Sequence, residues 1–413
     1  MSDQREKGLS RRALLKGFAA TATLPMISGC SQDEQSSRLS QADIDALAEQ
    51  RAEEARLTGK GPYGQQRYEG YRGLSELPWF ELDNNMQLVC VDDSIPLGID
   101  VHTHLGMSYL FAPDIDLTHS PTRVKHLLDS DGDGTTIDLD VYANANFSEA
   151  QLKVLQRNTI AQGLWGSSFA KTQTIPALVQ EMSAMRIGHS VLLPIKTGLP
   201  FGDDLTERWR NAIQATNTRQ SLTAGASVYP WDEDSVPELK AHLAAGAKVI
   251  KLHPTVQSFY PDDTRLMPLY EELERAGAVL FFHGGRAGIE PDSRQPYAVP
   301  LHYEAVLADF PKLQVVMGHA GARDQAAMTE LATRYDNAWL GIHGQGVSRL
   351  EDIINRTGGE RLLFGSDWPF YHIGMSLAKV LICTRDASRQ GIRKKILQDN
   401  ALQLMPQLRD SVN

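Results

Sequence analysis

The stretch Asp100-Val101-His102-Thr103-His104 carries side chains suited to metal chemistry. If residues 99–103 are extended, side chains two apart share a face, so Asp100, His102 and His104 point one way and Ile99, Val101 and Thr103 the other. Two neutral imidazoles at that spacing converge on one point and supply half of the ligand set that zinc or a similar divalent ion takes. On a polar strand face the same pair is equally at home in solvent, so the other ligands must come from elsewhere in the chain. Six of the twelve histidines (His102, His104, His253, His283, His319 and His343) stand at or just past the end of a short apolar run. Asp367 closes another, Leu362-Leu363-Phe364-Gly365-Ser366.

The elements that must position these groups alternate. The pattern predicts strands at 99–103, 190–195, 223–229, 247–252, 278–282, 314–318, 338–342 and 361–365, with amphipathic helices at 204–215, 236–244, 265–276, 301–309, 325–335 and 348–357 between them. Eight strands alternating with helices predict an α/β fold, a (β/α)8 TIM barrel, whose C-terminal strand ends form the catalytic face. Residues 104–189 are too long for a simple strand-to-helix connection and are expected to form a helical cap inserted after the first strand, with helices over 149–162 and 175–185. The barrel domain is placed at 75–413, preceded by a tether with an exposed helix over 30–74.

Five motifs in order resemble the amidohydrolase superfamily, and within it the branch of aminocarboxymuconate-semialdehyde decarboxylase and related decarboxylases, lactonases and hydratases. They are Asp100-Val101-His102-Thr103-His104, Val249-Ile250-Lys251-Leu252-His253-Pro254, Leu280-Phe281-Phe282-His283-Gly284-Gly285, Val315-Val316-Met317-Gly318-His319-Ala320-Gly321 and Leu363-Phe364-Gly365-Ser366-Asp367-Trp368-Pro369-Phe370. The resemblance implies that His102, His104, His283 and Asp367 bind one divalent metal, zinc in the first place, with manganese, cobalt and iron also suited to such a set. Such an ion lowers the pKa of its water from about 15.7 toward roughly 7, and Asp367 both ligates and takes the proton. His319 is the candidate second acid/base or carbonyl polariser. Lys251, His253, Arg286 and His343 are the candidate substrate-binding residues, Lys251 and Arg286 toward a carboxylated small molecule. In binuclear relatives a fourth-strand lysine is carboxylated and bridges two metals; the branch resembled here uses one. The reaction expected is hydrolysis of an ester, lactone or amide. The alternatives are non-oxidative decarboxylation of a carboxylated aromatic or dienoic acid, and a surface lipoprotein using the barrel as a binding module without turnover.

Composition and the N-terminus set the surroundings. The 413 residues, 42% apolar and 22% charged, are those of a globular chain. Ser10-Arg11-Arg12-Ala13-Leu14-Leu15-Lys16, followed by a mildly apolar stretch, reads as a twin-arginine signal over 1–29, and Ile27-Ser28-Gly29-Cys30 resembles a lipobox. The expected protein is therefore periplasmic or at the cell surface, held to a membrane only through a lipid on Cys30. Cleavage after residue 29 shifts the net charge from −10 to near −13, and no basic patch for nucleic acid is present. Cys90 and Cys383 lie in apolar contexts and are expected to be buried free thiols. Residues 129–140 place carboxylates at positions 1, 3, 5 and 12 and Gly134 at 6, in the manner of a calcium loop, though Asp140 replaces the longer Glu. Trp165, Phe169, Trp368 and Tyr371 are candidates to line an aromatic pocket.

Overall fold

The computed structural model describes residues 59–126, 136–147 and 160–411, together with 52, 56 and 157. The signal over 1–29, Cys30, nearly all of the tether helix, residues 129–135 of the acidic loop and most of the helix expected over 149–162 lie outside the described residues. No helix among the described residues is long and apolar enough to cross a membrane.

Three short strands come first: β1 (Arg67–Glu69), then β2 (Phe80–Leu82) and β3 (Leu88–Cys90), which pair antiparallel. Tyr71 and Leu74 between them are buried, so this arm is packed into the folded unit. β4 (Gly98–Thr103) opens the parallel strands. β5 (Thr136–Asp138), from the long insertion, turns back to pair antiparallel with β1. β4 then pairs with β6 (Ile187–Leu192), and β6 with β7 (Leu222–Ala224). The strands β8 (Val249–Leu252), β9 (Val279–Phe282), β10 (Gln314–Met317), β11 (Ala338–Gly341) and β12 (Leu362–Leu363) form a second parallel ladder in chain order. The eight expected staves thus appear as ladders of three and five strands. Single parallel bridges, Ala226 to Ile250 and Thr103 to Trp368, connect them.

The strands are near-continuous apolar runs because both of their faces are covered. Ile99, Val101, Val191, Val249, Phe281, Val316 and Leu363 form one buried cluster with Leu404, Met405 and Leu408 of the C-terminal segment. The alternate residues Ile250, Leu280, Phe282 and Met317 join the larger core under the helices. Phe281 and Phe282 therefore bury on opposite sides of β9, each worth roughly 1.5–3 kcal/mol of apolar burial.

The helices follow the expected alternation. α1 (Ile175–Ala184) precedes β6 and α2 (Leu205–Ala215) precedes β7. α3 (Ser235–Ala244), α4 (Met267–Ala276), α5 (Leu301–Asp309), α6 (Gln325–Arg334) and α7 (Val347–Thr357) each lead into the next strand, and α8 (Ile373–Cys383) follows β12. In α7 the buried Val347, Leu350, Ile353 and Ile354 repeat at helical spacing and form its core-facing stripe. Among the described residues the insertion between β4 and β6 contributes β5, two short 3-10 turns (Ala143–Asn146 and Ala170–Thr172), helical residues 160–165 and α1.

Candidate active site

The polar end of the parallel strands gathers four buried ligand-type side chains. One ligating atom each from His102, His319, His343 and Asp367 lie within 4.8 Å of one another. His102 comes from β4, His319 from the turn after β10, His343 from just past β11 and Asp367 from the turn after β12. His104 joins from the other side. Its Nε2 is 3.4 Å, and that of His102 3.7 Å, from Asp367 Oδ1.

Local geometry explains how the chain delivers them. Val101 joins Ile99 in the cluster of Val249 and Phe281 while His102 reaches the site, the alternation expected of this strand, although the register of β4 on β6 shifts between Asp100 and Thr103. The buried Asp100 accepts from the His102 and Ser366 backbone N–H groups through one oxygen at 3.1 Å, tying β4 to the Asp367 turn, and burial pushes its carboxyl up to about 7. The Asp367 N–H donates to the His102 carbonyl at 2.9 Å. His319 and Asp367 have φ of 54° and 62°, left-handed values that non-glycine residues adopt at a cost of order 1 kcal/mol. At Gly365 a Cβ would lie 2.9 Å from His343 Nδ1 and 3.0 Å from His102 Cβ, so only glycine leaves room for both rings.

Two of the imidazoles, His104 and His319, have a partner at Nδ1. His104 Nδ1 lies 2.8 Å from the Leu193 carbonyl, to which it donates, and this turns Nε2 toward Asp367. The His319 backbone N–H points at His343 Nε2 at 3.3 Å, and His319 Nδ1 is 3.2 Å from the Tyr142 hydroxyl. Burial, then the crowding of ionisable neighbours, His343 first, that disfavours a second positive charge, holds His102 and His319 well below the ordinary histidine range, and burial brings His343 down to about 3. His102, His319 and His343 are therefore neutral at pH 7, the state that ligates.

The remaining expected site residues are distributed around this group. His283 lies outside the tightest four: its ring is 4.6 Å from that of His319, and its Nε2 is 2.6 Å from Glu290 Oε1. His343, expected as a substrate contact, is inside them. His253 stacks on His283 at 4.2 Å and caps the turn Pro254–Gln257, its Nδ1 facing Thr255 Oγ1 at 3.1 Å and the Val256 N–H at 3.4 Å. Lys251 Nζ is 3.4 Å from His102 Nε2, and burial pushes its ammonium down to about 7. The Arg286 guanidinium grips Asp324, with Nε at 2.9 Å and Nη2 at 2.5 Å from its two oxygens.

Glu290, Tyr142 and Asn144 were not singled out in the sequence. All three are buried around the cluster; Asn144 accepts from the Tyr371 hydroxyl at 2.5 Å and donates to the Ala287 carbonyl at 3.1 Å. Of the proposed aromatic lining, Trp368 is fully buried with its indole N–H on Glu181 at 3.2 Å, Tyr371 is buried, Phe169 lies under Lys125 and Trp165 is 62% exposed. At the described end of the acidic loop, Asp138 pairs with Arg67 at 3.0 Å and Asp140 accepts the Ser348 N–H at 2.8 Å, so both carboxylates already hold protein partners. Cys383 is a buried free thiol and Cys90 a half-buried one, pushed up to about 11 by burial.

The donor set fits a divalent ion. Among the described residues, His102 Nδ1 and His343 Nδ1 are buried with no hydrogen-bond partner. The 3.4 and 3.7 Å approaches to Asp367 are too long for hydrogen bonds yet close to the spacing of about 3.4 Å between ligands that each stand near 2.05 Å from a tetrahedral ion.

The profile of the amidohydrolase family matches residues 99–406, the stretch that holds every one of these groups. The chain belongs to the amidohydrolase family. This amidohydrolase is an enzyme of the wider superfamily. It is 23% identical over 164 residues to the dihydroorotase of Vibrio vulnificus (strain CMCP6), covering 38% of this chain and 48% of that protein. It thus spans about half the length of the dihydroorotases it matches. An uncharacterized TIM-barrel protein from Bordetella bronchiseptica superposes with a TM-score of 0.52 at 22% identity, over 63% of this chain and 92% of that one, which supports the fold. A 5-carboxyvanillate decarboxylase from Novosphingobium aromaticivorans, solved with manganese, is similar at a TM-score of 0.49 and 16% identity, over 76% of this chain and 96% of that one.

Proposed function

We propose that this amidohydrolase is a metal-dependent hydrolase that adds water to an ester, lactone or amide carbonyl, on a (β/α)8 barrel whose seams are the bridges at Ala226 and Thr103. The observation that carries the reading is the Asp367 oxygen set between the Nε2 atoms of two neighbouring histidines, inside a buried group of three imidazoles and one carboxylate. His102, His319, His343 and Asp367 would hold the ion, with His104 turned to the same carboxylate; His283, with Nε2 on Glu290, keeps Nδ1 for such a role.

A divalent ion bound there supplies Lewis acidity, polarising a carbonyl oxygen and making water acidic near neutrality. Asp367 is placed to accept the proton that the attacking water loses and to return it to the leaving group. Burial of the whole group keeps bulk water out and strengthens each electrostatic contact. Lys251 offers an ammonium beside His102 with no carboxylate paired to it among the described residues, which suits a carboxylated substrate.

The same lysine favours a second reading, decarboxylation of a carboxylated aromatic or dienoic acid. Turnover in 18O-labelled water separates the two. Label in the product carboxylate is the expected result; unlabelled product with released carbon dioxide would shift the assignment to the second reading. His102→Ala and Asp367→Asn are each expected to lose turnover and bound metal while keeping the wild-type circular dichroism, and activity surviving in both would remove the mechanism.

We further propose export by the twin-arginine route with a lipid on Cys30, supported by the N-terminal motifs. Cys30→Ser should release the protein from the membrane fraction; continued sedimentation with membranes would refute the anchor.

A further inference from the structure

One buried side chain touches the metal-type cluster without a part in the chemistry above. Tyr142 is 2% exposed and lies in the stretch inserted between β4 and β6. Its ring packs with Ala287 and Ala322, and its hydroxyl is 3.2 Å from His319 Nδ1, the one hydrogen bond made to that ring among the described residues.

The backbone around Tyr142 is anchored independently of the hydroxyl. The Leu139 N–H donates to the Gln66 carbonyl at 2.8 Å, the Val347 N–H to the Leu139 carbonyl at 2.9 Å and the Ala143 N–H to the Gly344 carbonyl at 2.8 Å. Asn144 adds its bonds to Tyr371 and Ala287. Gly344 leaves the space for the phenol, since a Cβ there would be 2.7 Å from Tyr142 Cε2. The phenol is thus held at His319 by an arm fastened at several points.

His319 needs such a partner. Its backbone is left-handed, and its carbonyl is fixed by Gln345 Nε2 at 2.6 Å, yet neither constraint decides which ring nitrogen faces the other imidazoles. An imidazole presents a lone pair at one nitrogen only when its proton sits on the other, and a partner at that other nitrogen sets both the tautomer and the ring angle.

We propose that Tyr142 is a positioning residue for the metal centre: His319 Nδ1–H donates to the phenolic oxygen, which leaves the Nε2 lone pair for the ion. The inserted arm would then complete the site as well as cover it. This rests on the metal-dependent reading above, and the test separates the two.

The full chain, Tyr142→Phe and His102→Ala are stripped with a chelator and titrated with Zn2+ against a chromophoric competitor. The Phe variant keeps the packed ring and removes only the oxygen, so it should stay folded, with a metal-free melting temperature within a few degrees of the wild type. The expected result is loss of Zn2+ binding in His102→Ala and affinity about 10–100-fold weaker in Tyr142→Phe. Wild-type affinity in Tyr142→Phe, with binding lost in His102→Ala, overturns the role given to Tyr142 and leaves the metal reading standing. Wild-type affinity in His102→Ala overturns the metal reading and the role of Tyr142 with it.

Discussion

At Gly365 the missing side chain does the positioning: His343 and His102 occupy the volume that any Cβ would take. Gly365→Ala is therefore expected to destabilise the protein by about 1–3 kcal/mol in urea unfolding, through overpacking, and to lower the metal content of the purified protein. A variant with wild-type stability and metal content would mean that the rings sit elsewhere. Most of the candidate site was legible in the sequence because each of His102, His104, His283, His319, His343 and Asp367 follows an apolar run, and a strand end fixes where the next side chain goes. Glu290 and Tyr142 were not. Glu290 lies in a loop with no periodicity and Tyr142 past an acidic loop, and nothing in their spacing marks the contacts with His283 and His319 that folding creates. Arg286 was read as a substrate clamp from its proximity to His283; what the spacing did not show is that a carboxylate distant in sequence, Asp324, holds its guanidinium.

Among the elements, α1 and α8 meet behind the Asp367 turn. Glu181 of α1 accepts from the Trp368 indole, from the Ile373 N–H at 2.7 Å and from His126 Nε2 at 3.0 Å, which fixes the turn that presents Asp367. Burial alone would raise the Glu181 carboxyl; His372, protonated in the acid range where Glu181 titrates, and the bonds from His126 and the Ile373 N–H outweigh it and hold the carboxyl down at about 2. His372 caps α8 by accepting the Gly374 N–H at its Nδ1, stacks on Tyr71 at 4.1 Å, and is pushed down to about 4 by burial, so its ring is neutral in the fold. A histidine depressed in the folded state stabilises above its unfolded value near 6.5, and that contribution fades as pH falls from about 6.5 to 4. His372→Asn keeps a capping oxygen and removes the titration. Stability measured against pH should fall less steeply in this variant than in wild type over that window, by up to about 3 kcal/mol in total; parallel curves would show that His372 is not neutral and buried as described. The strand order was read correctly from apolar runs, but the boundaries moved where pairing, and not composition, decides them. β6 starts at Ile187, ahead of its most apolar residues, because Gly98 of β4 pairs with Ile187.

For the molecule as a whole, an ion that binds only the folded state adds stability by mass action, about 2.7 kcal/mol at a hundredfold excess over its dissociation constant. Chelation should therefore lower the melting temperature of the full chain by several degrees and Zn2+ should restore it, with His102→Ala insensitive to both. Equal melting temperatures with and without chelator would separate the cluster from ion binding. Anomalous diffraction from crystals grown with Zn2+ shows whether side chains from the ends of β4, β10, β11 and β12 share one cation. A single strong peak at the zinc edge within bonding distance of Asp367 and His102 is expected; a peak elsewhere, or none where these side chains meet, would rule out a shared ion.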